Sequence, residues 1–501
     1  MHAGDVWVGL DLGTSAVKAV ALRGDGAVLA RASTDYPTER PVPGASEQDP
    51  GSWRRACAEV VAQLRDAVRP SAWRGIGLSA MIPTLVVLDQ GLEPLAPAVT
   101  WEDARAEREG ERLRRAVGAE WLYERTGQWL DGRYLLPMYA RLAAAEPGLA
   151  PRVRHLAGAK DLLFAWLTGE LVTDPSTAAG FGAYDVRAGV WLEEPLRSLE
   201  LELAAPLPLL PRVEPSTSTR PLIASAAATL GLPAGLPICL GAADSVLGAL
   251  GLGADSVGDV AYIAGTSSVV LGIAARFIPD AHHRYLITPL ADSGAYGLEM
   301  DLLATGSAVR WLARLLDGVD DEAQLIARGG ALDPAAAPVF LPYLAPGEQG
   351  ALWNAELHGT VLGLHLGHDA AHIARGLLNG IVLESRRCLE ALSDAGLPAG
   401  RVRLSGWCAA AAGVRSDLAD CCRRQVRAAP SDGRDCSAIG AARLLARTLG
   451  DTVATPAEPD LDVCPIEERS RVWDGLWERH ERALEVTAVV YEPTEALCTD
   501  S

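Results

Sequence analysis

The 501-residue sequence has no run of about 18 consecutive apolar residues, the length that a membrane-spanning helix needs, so we expect no membrane partner. It has no excess of basic residues, because 45 lysines and arginines stand against 64 aspartates and glutamates, a net charge of −19. Nucleic acids select basic patches, so we expect no nucleic-acid partner. No N-terminal stretch joins a basic head to a long apolar run, so we expect no signal peptide and a cytoplasmic location.

Paired cysteine motifs and lysines are also scarce. The nine cysteines are odd in number and form no Cys-x-x-Cys pair with a matching partner pair, so we expect reduced, mostly buried thiols. Of the 45 basic residues, only Lys18 and Lys160 are lysines, a bias that decides nothing about the chemistry.

Strand-like and helical segments alternate along the whole chain. The length and the 49% of apolar residues predict a globular protein of two domains, residues 1–250 and 251–501. Residues 6–28 alternate apolar and small residues and predict a β-hairpin with a turn at Gly24-Asp25-Gly26. Strands that alternate with helices predict an α/β architecture. The predicted helical segments are residues 53–67, 105–167, 308–316, 369–392 and 467–484.

The tripeptide Gly-Thr-Ser occurs twice, as Gly13-Thr14-Ser15 and Gly265-Thr266-Ser267, each time between two runs of alternating apolar residues. Glycine at a tight turn lets the backbone approach a ligand, and the following amides and hydroxyls can surround an anion without a lysine. Asp11 precedes the first copy, and a carboxylate beside a phosphate requires a cation such as Mg²⁺ between them. One such turn is more often only structural, but one near the start of each half favours two phosphate-binding turns across a cleft.

These motifs resemble those of the FGGY carbohydrate kinases. The segments "GLDLGTSAVKAV" (9–20) and "YIAGTSSVVLG" (262–272) are similar to the two phosphate motifs of the family. Four more segments are similar to the family in the same order along the chain: "WEDARA" (101–106), "AKDLLFAWLTGELVTDPSTAAG" (159–180), "PYLAPGEQG" (342–350) and "GLHLGHDAAHIARGLLNGIVLESRRCLEAL" (363–392). The likeness runs from about residue 6 to about residue 450, and xylulokinase-like members are the most similar.

The resemblance implies two ribonuclease-H-like α/β domains, of the actin and hexokinase type, on either side of a catalytic cleft. It also implies a kinase that uses ATP and Mg²⁺ to phosphorylate a hydroxyl of a small sugar or polyol, with a ketose such as a pentulose as the first candidate, by direct in-line transfer. Asp244, in "ICLGAADSVLGALGLG", occupies the position of the family's catalytic base. Its spacing alone favours a helix N-cap, and the surrounding match to the family favours the base instead. Related kinases often associate, and a homodimer is an open expectation.

The implied site residues fall into three groups. Asp244 is the base, and Asp11 and Asp244 are the Mg²⁺ ligands. The residues implied to contact the nucleotide are Gly13, Thr14, Ser15, Gly265, Thr266, Ser267, Gly406, Trp407 and Cys408. The residues implied to contact the sugar are Met81, Ile82, Trp101, Asp103, Arg105 and Ser245. Asp103 and Arg105 could equally form a structural ion pair.

Three segments depart from the family pattern. Xylulokinases usually carry Gln-Met-His in the bend that touches the sugar, and Pro83 takes the place of that histidine here. Ser245 follows Asp244 where xylulokinases commonly have an asparagine, and Trp407-Cys408 replaces two glycines of the adenosine region. A changed polar contact to a sugar alters specificity sharply. The alternatives are therefore a kinase for a cyclitol, polyol or modified sugar in a biosynthetic pathway, or a catalytically silent, ligand-binding regulator.

His365, His368 and His372 have a spacing that would place them near one helical face, as in a metal site. Gly367 and a helix start near Asp369 break that face, and no cysteine or carboxylate set completes the ligands. We therefore interpret the three histidines as structural.

Overall fold

The computed structural model describes residues 5–200, 208–317, 321–345, 348–354, 357–429, 433, 435–454 and 462–491. Its strands are β1 (Val6–Leu12), β2 (Ala16–Arg23), β3 (Val28–Asp35), β4 (Glu47–Gln48), β5 (Trp73–Ala80), β6 (Thr84–Leu88), β7 (Ala98–Thr100), β8 (His155–Ala157), β9 (Val172–Thr173), β10 (Tyr184–Asp185), β11 (Val190–Trp191), β12 (Arg212–Val213), β13 (Thr219–Pro221), β14 (Pro237–Ala243), β15 (Val260–Ala264), β16 (Ser268–Ala274), β17 (Leu286–Pro289), β18 (Tyr296–Leu302), β19 (Val339–Leu341), β20 (Glu348–Gln349), β21 (Leu352–Trp353), β22 (Thr360–Leu362), β23 (Val402–Ser405), β24 (Val426–Ala428) and β25 (Asp462–Val463). Its helices are α1 (Pro50–Ala67), α2 (Glu107–Val117), α3 (Ala119–Thr126), α4 (Leu135–Ala145), α5 (Ala159–Thr168), α6 (Pro175–Ala179), α7 (Glu193–Glu200), α8 (Ala224–Leu230), α9 (Asp244–Leu252), α10 (Gly306–Asp317), α11 (Glu322–Gly330), α12 (Ala370–Asp394), α13 (Gly406–Ala410), α14 (Ala412–Cys422), α15 (Cys436–Thr448) and α16 (Glu467–Tyr491).

Two large mixed sheets repeat the same strand pattern. In the first sheet, of order β13-β14-β5-β1-β2-β3, β1 runs antiparallel to β2 and parallel to β5. In the second, β15 runs antiparallel to β16 and parallel to β23, which in turn runs parallel to β24. The hairpins β1–β2 and β15–β16 therefore occupy equivalent places, and the two Gly-Thr-Ser turns are their tips.

Two helices fill the space between the sheets. Helix α15, although it comes late in the chain, packs on β1 and β5 of the first sheet and on α9. The approach is close, because a Cβ atom on Gly9 would lie 1.8 Å from the carbonyl oxygen of Ala438, and one on Gly440 would lie 1.8 Å from that of Leu247. Such backbone contact holds α9 at a fixed place between the sheets, and α9 begins with Asp244.

Most of the elements predicted from periodicity are present. The predicted hairpin at residues 6–28 is β1–β2, and Gly24-Asp25-Gly26 connects β2 to β3. Helix α1 starts three residues earlier than predicted, and Asp49 caps it by accepting a hydrogen bond from the backbone N–H of Gly51. The predicted tail helix continues past residue 484 to Tyr491. In the described ranges no helix has both the length and the apolar character needed to cross a bilayer.

Candidate active site

The first Gly-Thr-Ser turn joins β1 to β2 and is held by side chains from other segments. The backbone N–H of Gly13 donates to the carbonyl oxygen of Ala16 at 3.0 Å, which closes the turn. The Tyr36 hydroxyl donates to the carbonyl oxygen of Gly13. Gln48 Nε2 donates to the carbonyl oxygen of Thr14 at 2.7 Å, and Trp101 Nε1 donates to Thr14 Oγ1 at 3.0 Å. Side chains from three segments therefore fix the positions of Gly13 and Thr14, and the backbone N–H of Tyr36 also donates to the carbonyl oxygen of Ser15 at 3.1 Å.

The second Gly-Thr-Ser turn joins β15 to β16 and is held by backbone. The N–H of Gly265 donates to the carbonyl oxygen of Ser267 at 2.8 Å, and the N–H of Ser307 donates to that of Thr266 at 2.9 Å. Gly406 forms a parallel bridge with Ala264, just before the turn. The second turn is therefore supported by the starts of α10 and α13.

A cavity of about 210 Å³ lies between the two turns. Its lining includes Thr14 from the first turn, Ser267 from the second, and Asp244 from the start of α9. It continues into a wider cleft of about 1050 Å³, lined by Thr14, Ser15, Gly265, Thr266 and Ser267 among others. Residues predicted from two distant parts of the sequence therefore meet in one space.

Asp244 is the first residue of α9 and follows the N-cap position, which Ala243 occupies. Its Oδ1 accepts a hydrogen bond from the backbone N–H of Ser245 at 2.9 Å, and its own carbonyl oxygen accepts one from Ser437 Oγ at 2.9 Å. Burial, followed by the charges of Asp11 and Glu299, raises the pKa of Asp244 well above its ordinary value. A carboxyl group with a raised pKa, directed into a cavity, is suited to accept a proton.

A buried ionic network supports the strand end that carries Asp244. Lys160, which is fully buried, lies with its Nζ 3.1 Å from Asp174 Oδ1. Asp174 Oδ2 accepts a hydrogen bond from Ser176 Oγ at 2.6 Å, and Ser176 Oγ accepts one from the backbone N–H of Ala243 at 2.9 Å. The sequence predicts no role for Lys160, but its ammonium group anchors this chain of contacts.

Asp11 lies on β1 just before the first turn, and only 8% of its surface is exposed. Its Oδ1 accepts a hydrogen bond from Ser79 Oγ at 2.7 Å. Burial raises the pKa of Asp11, and the Ser79 hydrogen bond and the Lys18 charge oppose that shift. A buried carboxylate beside a phosphate-sized turn is an oxygen ligand of the kind that Mg²⁺ takes.

The glycines that open the two turns leave space that the fold does not use. A Cβ atom on Gly13 would meet its nearest heavy atom, the carbonyl oxygen of Ala16, at 3.4 Å, and one on Gly265 would meet that of Ser267 at 3.4 Å. Both are ordinary van der Waals contacts, and neither glycine has a positive φ. Packing therefore does not require glycine at these positions, and the absence of a side chain leaves the backbone of each turn accessible to a ligand.

The residues predicted to contact the sugar are divided between the cavity and the core. Ile82 and Trp101 line the cavity. Met81 is 1% exposed and packs in the hydrophobic core around the first sheet. Arg105 pairs with Asp103 at 2.6 Å and also with Glu47, so this pair is the structural ion pair considered as the alternative. Asp103 nevertheless lines the wider cleft.

The segment Gly406-Trp407-Cys408 lies behind the second turn. Cys408 is fully buried in the core of the second half, and burial raises the pKa of its thiol. Trp407 is half-buried against the same core and lies next to Gly306 at the start of α10. Its position is therefore beside the second turn rather than in the cavity that contains Asp244.

The structure adds two acidic residues that the sequence analysis missed. Glu299 and Asp301 are two residues apart on β18, so their side chains share one face of the strand, and both line the 210 Å³ cavity. Burial, followed by the charge of Asp301, raises the pKa of Glu299. Burial also raises the pKa of Asp301, and Arg133 opposes that shift. The acidic alternation in "GLEMDL" is the local signal that could have indicated them.

Comparisons with known proteins agree with this geometry. The profile of the N-terminal domain of the FGGY family of carbohydrate kinases matches residues 6–251, and that of the C-terminal domain matches residues 260–449. A xylulose kinase from Klebsiella pneumoniae is 31% identical over 379 residues, which cover 75% of this chain and 76% of that protein. A gluconokinase from Bacillus subtilis is 26% identical over 400 residues, which cover 77% of each chain.

A solved structure of a xyloylose kinase from Brucella ovis superposes with a TM-score of 0.88 at 26% identity, over 97% of this chain and 100% of that one. The predicted two-domain α/β fold of the actin and hexokinase type is thus confirmed, as is the prediction of a sugar kinase. The chain belongs to the FGGY family of carbohydrate kinases.

Proposed function

We propose that the protein transfers the γ-phosphoryl group of ATP, in the presence of Mg²⁺, to a hydroxyl group of a small ketose such as a pentulose. One observation carries the proposal: a single cavity is lined by Thr14 of the first turn, Ser267 of the second turn and Asp244. Two anion-binding turns and one basic carboxylate are the parts that in-line phosphoryl transfer needs. The xylulose kinase relative supports a ketose as the acceptor.

Asp244 is the general base in this proposal. Its carboxylate accepts the proton of the sugar hydroxyl while the hydroxyl oxygen bonds to the γ-phosphorus, and the bond from that phosphorus to the leaving oxygen of ADP breaks. The raised pKa makes ionised Asp244 a stronger base than an ordinary aspartate. The transfer is direct, so no phosphoryl-enzyme intermediate forms.

The remaining residues position the two substrates. The turns at residues 13–15 and 265–267 hold the phosphates, and Gly406 and Trp407 border the nucleoside. Cys408, predicted to contact the nucleotide, instead packs behind them in the core. Ile82, Trp101 and Ser245 contact the sugar. Met81, together with the ion pair of Asp103 and Arg105, supports the sugar site from behind.

Asp11 and Asp244 are the proposed protein ligands for Mg²⁺. When bound, the ion neutralises charge on the phosphates, which the lysine-poor turns do not do. Mg²⁺ takes one or two carboxylates together with phosphate oxygens and water, so it does not require a cage of protein ligands. The described residues contain no group of three or more His, Cys, Asp or Glu side chains that could hold a metal.

The test is an ADP-release assay with ATP and Mg²⁺ across pentuloses, hexuloses, polyols, aldonates and cyclitols. We expect release with a pentulose, and a fall in kcat by about 10²–10⁴-fold in Asp244→Asn. Asp25→Asn is the matched control, because Asp25 is exposed in the turn between β2 and β3, where it interacts with Arg23 and with the backbone N–H of Ala27. It should keep the activity of the native protein.

Two other results would contradict parts of the proposal. A preference for a cyclitol or polyol would support the kinase activity but contradict the ketose as the acceptor. No ADP release with any compound of the panel, together with ATP binding measured by calorimetry, would favour the ligand-binding regulator.

A further inference from the structure

The 210 Å³ cavity carries an excess of negative charge. Its described lining contains three carboxyl groups, those of Asp244, Glu299 and Asp301, and one cationic group, that of Arg133. Arg133 is already paired, because its Nη2 lies 2.7 Å from Asp131 Oδ2. In addition to burial, the charges of Glu299 and Asp301 raise the pKa of Asp244, so the three carboxyl groups lie near one another. A ligand group beside them meets hydrogen-bond acceptors rather than cations.

Two acids on one face of β18 are unfavourable for folding, and the charge of Arg133 offsets part of that cost for Asp301. Like charges on one face of a strand destabilise it, and partly buried carboxylates lose hydration. Thr288 Oγ1 donates to Glu299 Oε2 at 3.0 Å, which satisfies one of the two oxygens of that carboxylate. Positions that break a local rule in this way are expected at functional sites.

Ser245 is a further polar side chain beside these acids. Its side chain lines the same cavity, and the residue is only 6% exposed. Its Oγ makes no hydrogen bond of standard geometry within the described residues, and its interaction with Glu299 as a hydrogen-bond donor lowers the pKa of that carboxyl group. A buried hydroxyl without such a bond is unfavourable unless a ligand supplies a partner.

We propose that Glu299 and Asp301 set the charge specificity of the sugar site, so that the acceptor is an uncharged polyhydroxylated sugar and aldonates are rejected. The two carboxylates accept hydrogen bonds from sugar hydroxyls, and they repel a substrate that carries its own carboxylate. This inference rests on the proposed function, since it assigns the acceptor of the same site. It separates this protein from the gluconokinase among its relatives, whose name states an anionic acceptor.

The experiment compares acceptors that differ in charge but not in shape. The pairs are D-xylonate with D-xylonamide and D-gluconate with D-gluconamide, measured beside the best neutral sugar of the panel. We expect kcat/KM for each aldonate to be at least about 100-fold below that for its amide. An aldonate that is used as well as its amide would overturn the inference.

Three variants test whether Glu299 and Asp301 cause the discrimination between aldonates and amides. Glu299→Gln and Asp301→Asn keep the side-chain shape, and both should raise KM for the neutral sugar because a hydrogen-bond acceptor is lost. The double variant should raise the ratio of aldonate to amide kcat/KM by about 10-fold or more. Glu390→Gln is the control, because Glu390 pairs with Arg386 on the surface of α12, and it should leave the ratio unchanged. A ratio that stays the same in a folded double variant would overturn the inference.

A binding measurement separates this inference from the proposed kinase activity. If the protein phosphorylates nothing in the panel, calorimetric titration with D-xylonamide and D-xylonate still tests the charge preference. Binding of the amide at least about 10-fold tighter than the aldonate would support the inference without turnover. Equal binding would overturn it.

Discussion

The two Gly-Thr-Ser turns have the same sequence and equivalent places in the two sheets, but they are stabilised in different ways. Side chains from other segments hold the first turn, through hydrogen bonds to Gly13 and Thr14, and one backbone hydrogen bond from Tyr36 to Ser15 adds to them. Backbone holds the second, through Ser307 and the bridge between Ala264 and Gly406. A shared local motif therefore does not imply a shared cause of its conformation.

The difference bears on how each half could change during evolution. A turn held by polar side chains can be loosened stepwise, because each hydrogen bond contributes about 1 kcal/mol. A turn held by backbone against backbone has no such intermediate, because any side chain larger than hydrogen at the contact must displace the chain. Substitutions that remove the support of each turn should therefore differ in their effect on stability.

Gly406→Ala should produce the largest loss of stability. Gly406 has φ +73°, and a Cβ atom there would lie 1.7 Å from the carbonyl oxygen of Ala264. We expect the free energy of unfolding to fall by at least about 3 kcal/mol in thermal or denaturant unfolding, because backbone cannot move away as a flexible side chain can.

The matched control for this variant is Gly396→Ala. Gly396 has φ +81° but nothing within 4 Å of the position of a Cβ atom. It should lose only the about 1–2 kcal/mol that a left-handed backbone conformation costs alanine. Equal losses in the two variants would mean that φ, and not contact with the second turn, sets the effect.

The hairpins and the helices could be predicted because their signals are local. Alternating apolar residues on both sides of a glycine turn suffice for β1–β2 and β15–β16, whatever the rest of the chain does. What supports the turns could not be predicted in this way. Tyr36, Gln48 and Trp101 reach the first turn from 23, 34 and 87 residues away, and no periodicity encodes such convergence.

The candidate site shows the same division. Asp244 could be assigned because a family motif surrounds it, and Ile82 and Trp101 do line the cavity. Met81 adjoins Ile82 in the sequence, yet its side chain packs in the core, because neighbours in an extended segment face opposite ways. Glu299 and Asp301 were missed because their spacing shows that they share one face of a strand but not which element lies opposite that face. The opposite element is set by how α9 packs against the second sheet.

Gln48→Met should have an intermediate effect, confined to the first turn. Gln48 is 1% exposed, and its amide donates to the carbonyl oxygen of Thr14 and accepts from Trp53 Nε1 at 3.0 Å. Methionine keeps the volume but leaves these buried groups without their partner, so we expect a loss of about 2–3 kcal/mol in the free energy of unfolding. Gln63→Met is the control, because Gln63 is exposed and should change stability little. A loss as small as that of the control would show that the first turn keeps its conformation without the hydrogen bond from Gln48.

Gly13→Ala and Gly265→Ala should have the smallest effect on stability and a large effect on kinetics. In each case the nearest heavy atom to the new methyl group would be 3.4 Å away, so we expect the free energy of unfolding to change by less than about 1 kcal/mol. The methyl group would instead occupy space on the cleft side of the turn, and KM for ATP should rise by about 10-fold or more in both variants. Unchanged kinetics in both would mean that phosphate does not approach these glycines. A change in Gly13→Ala alone would mean that the two turns differ in function as well as in what stabilises them. Only the turn beside Asp11 would then contact the transferred phosphoryl group.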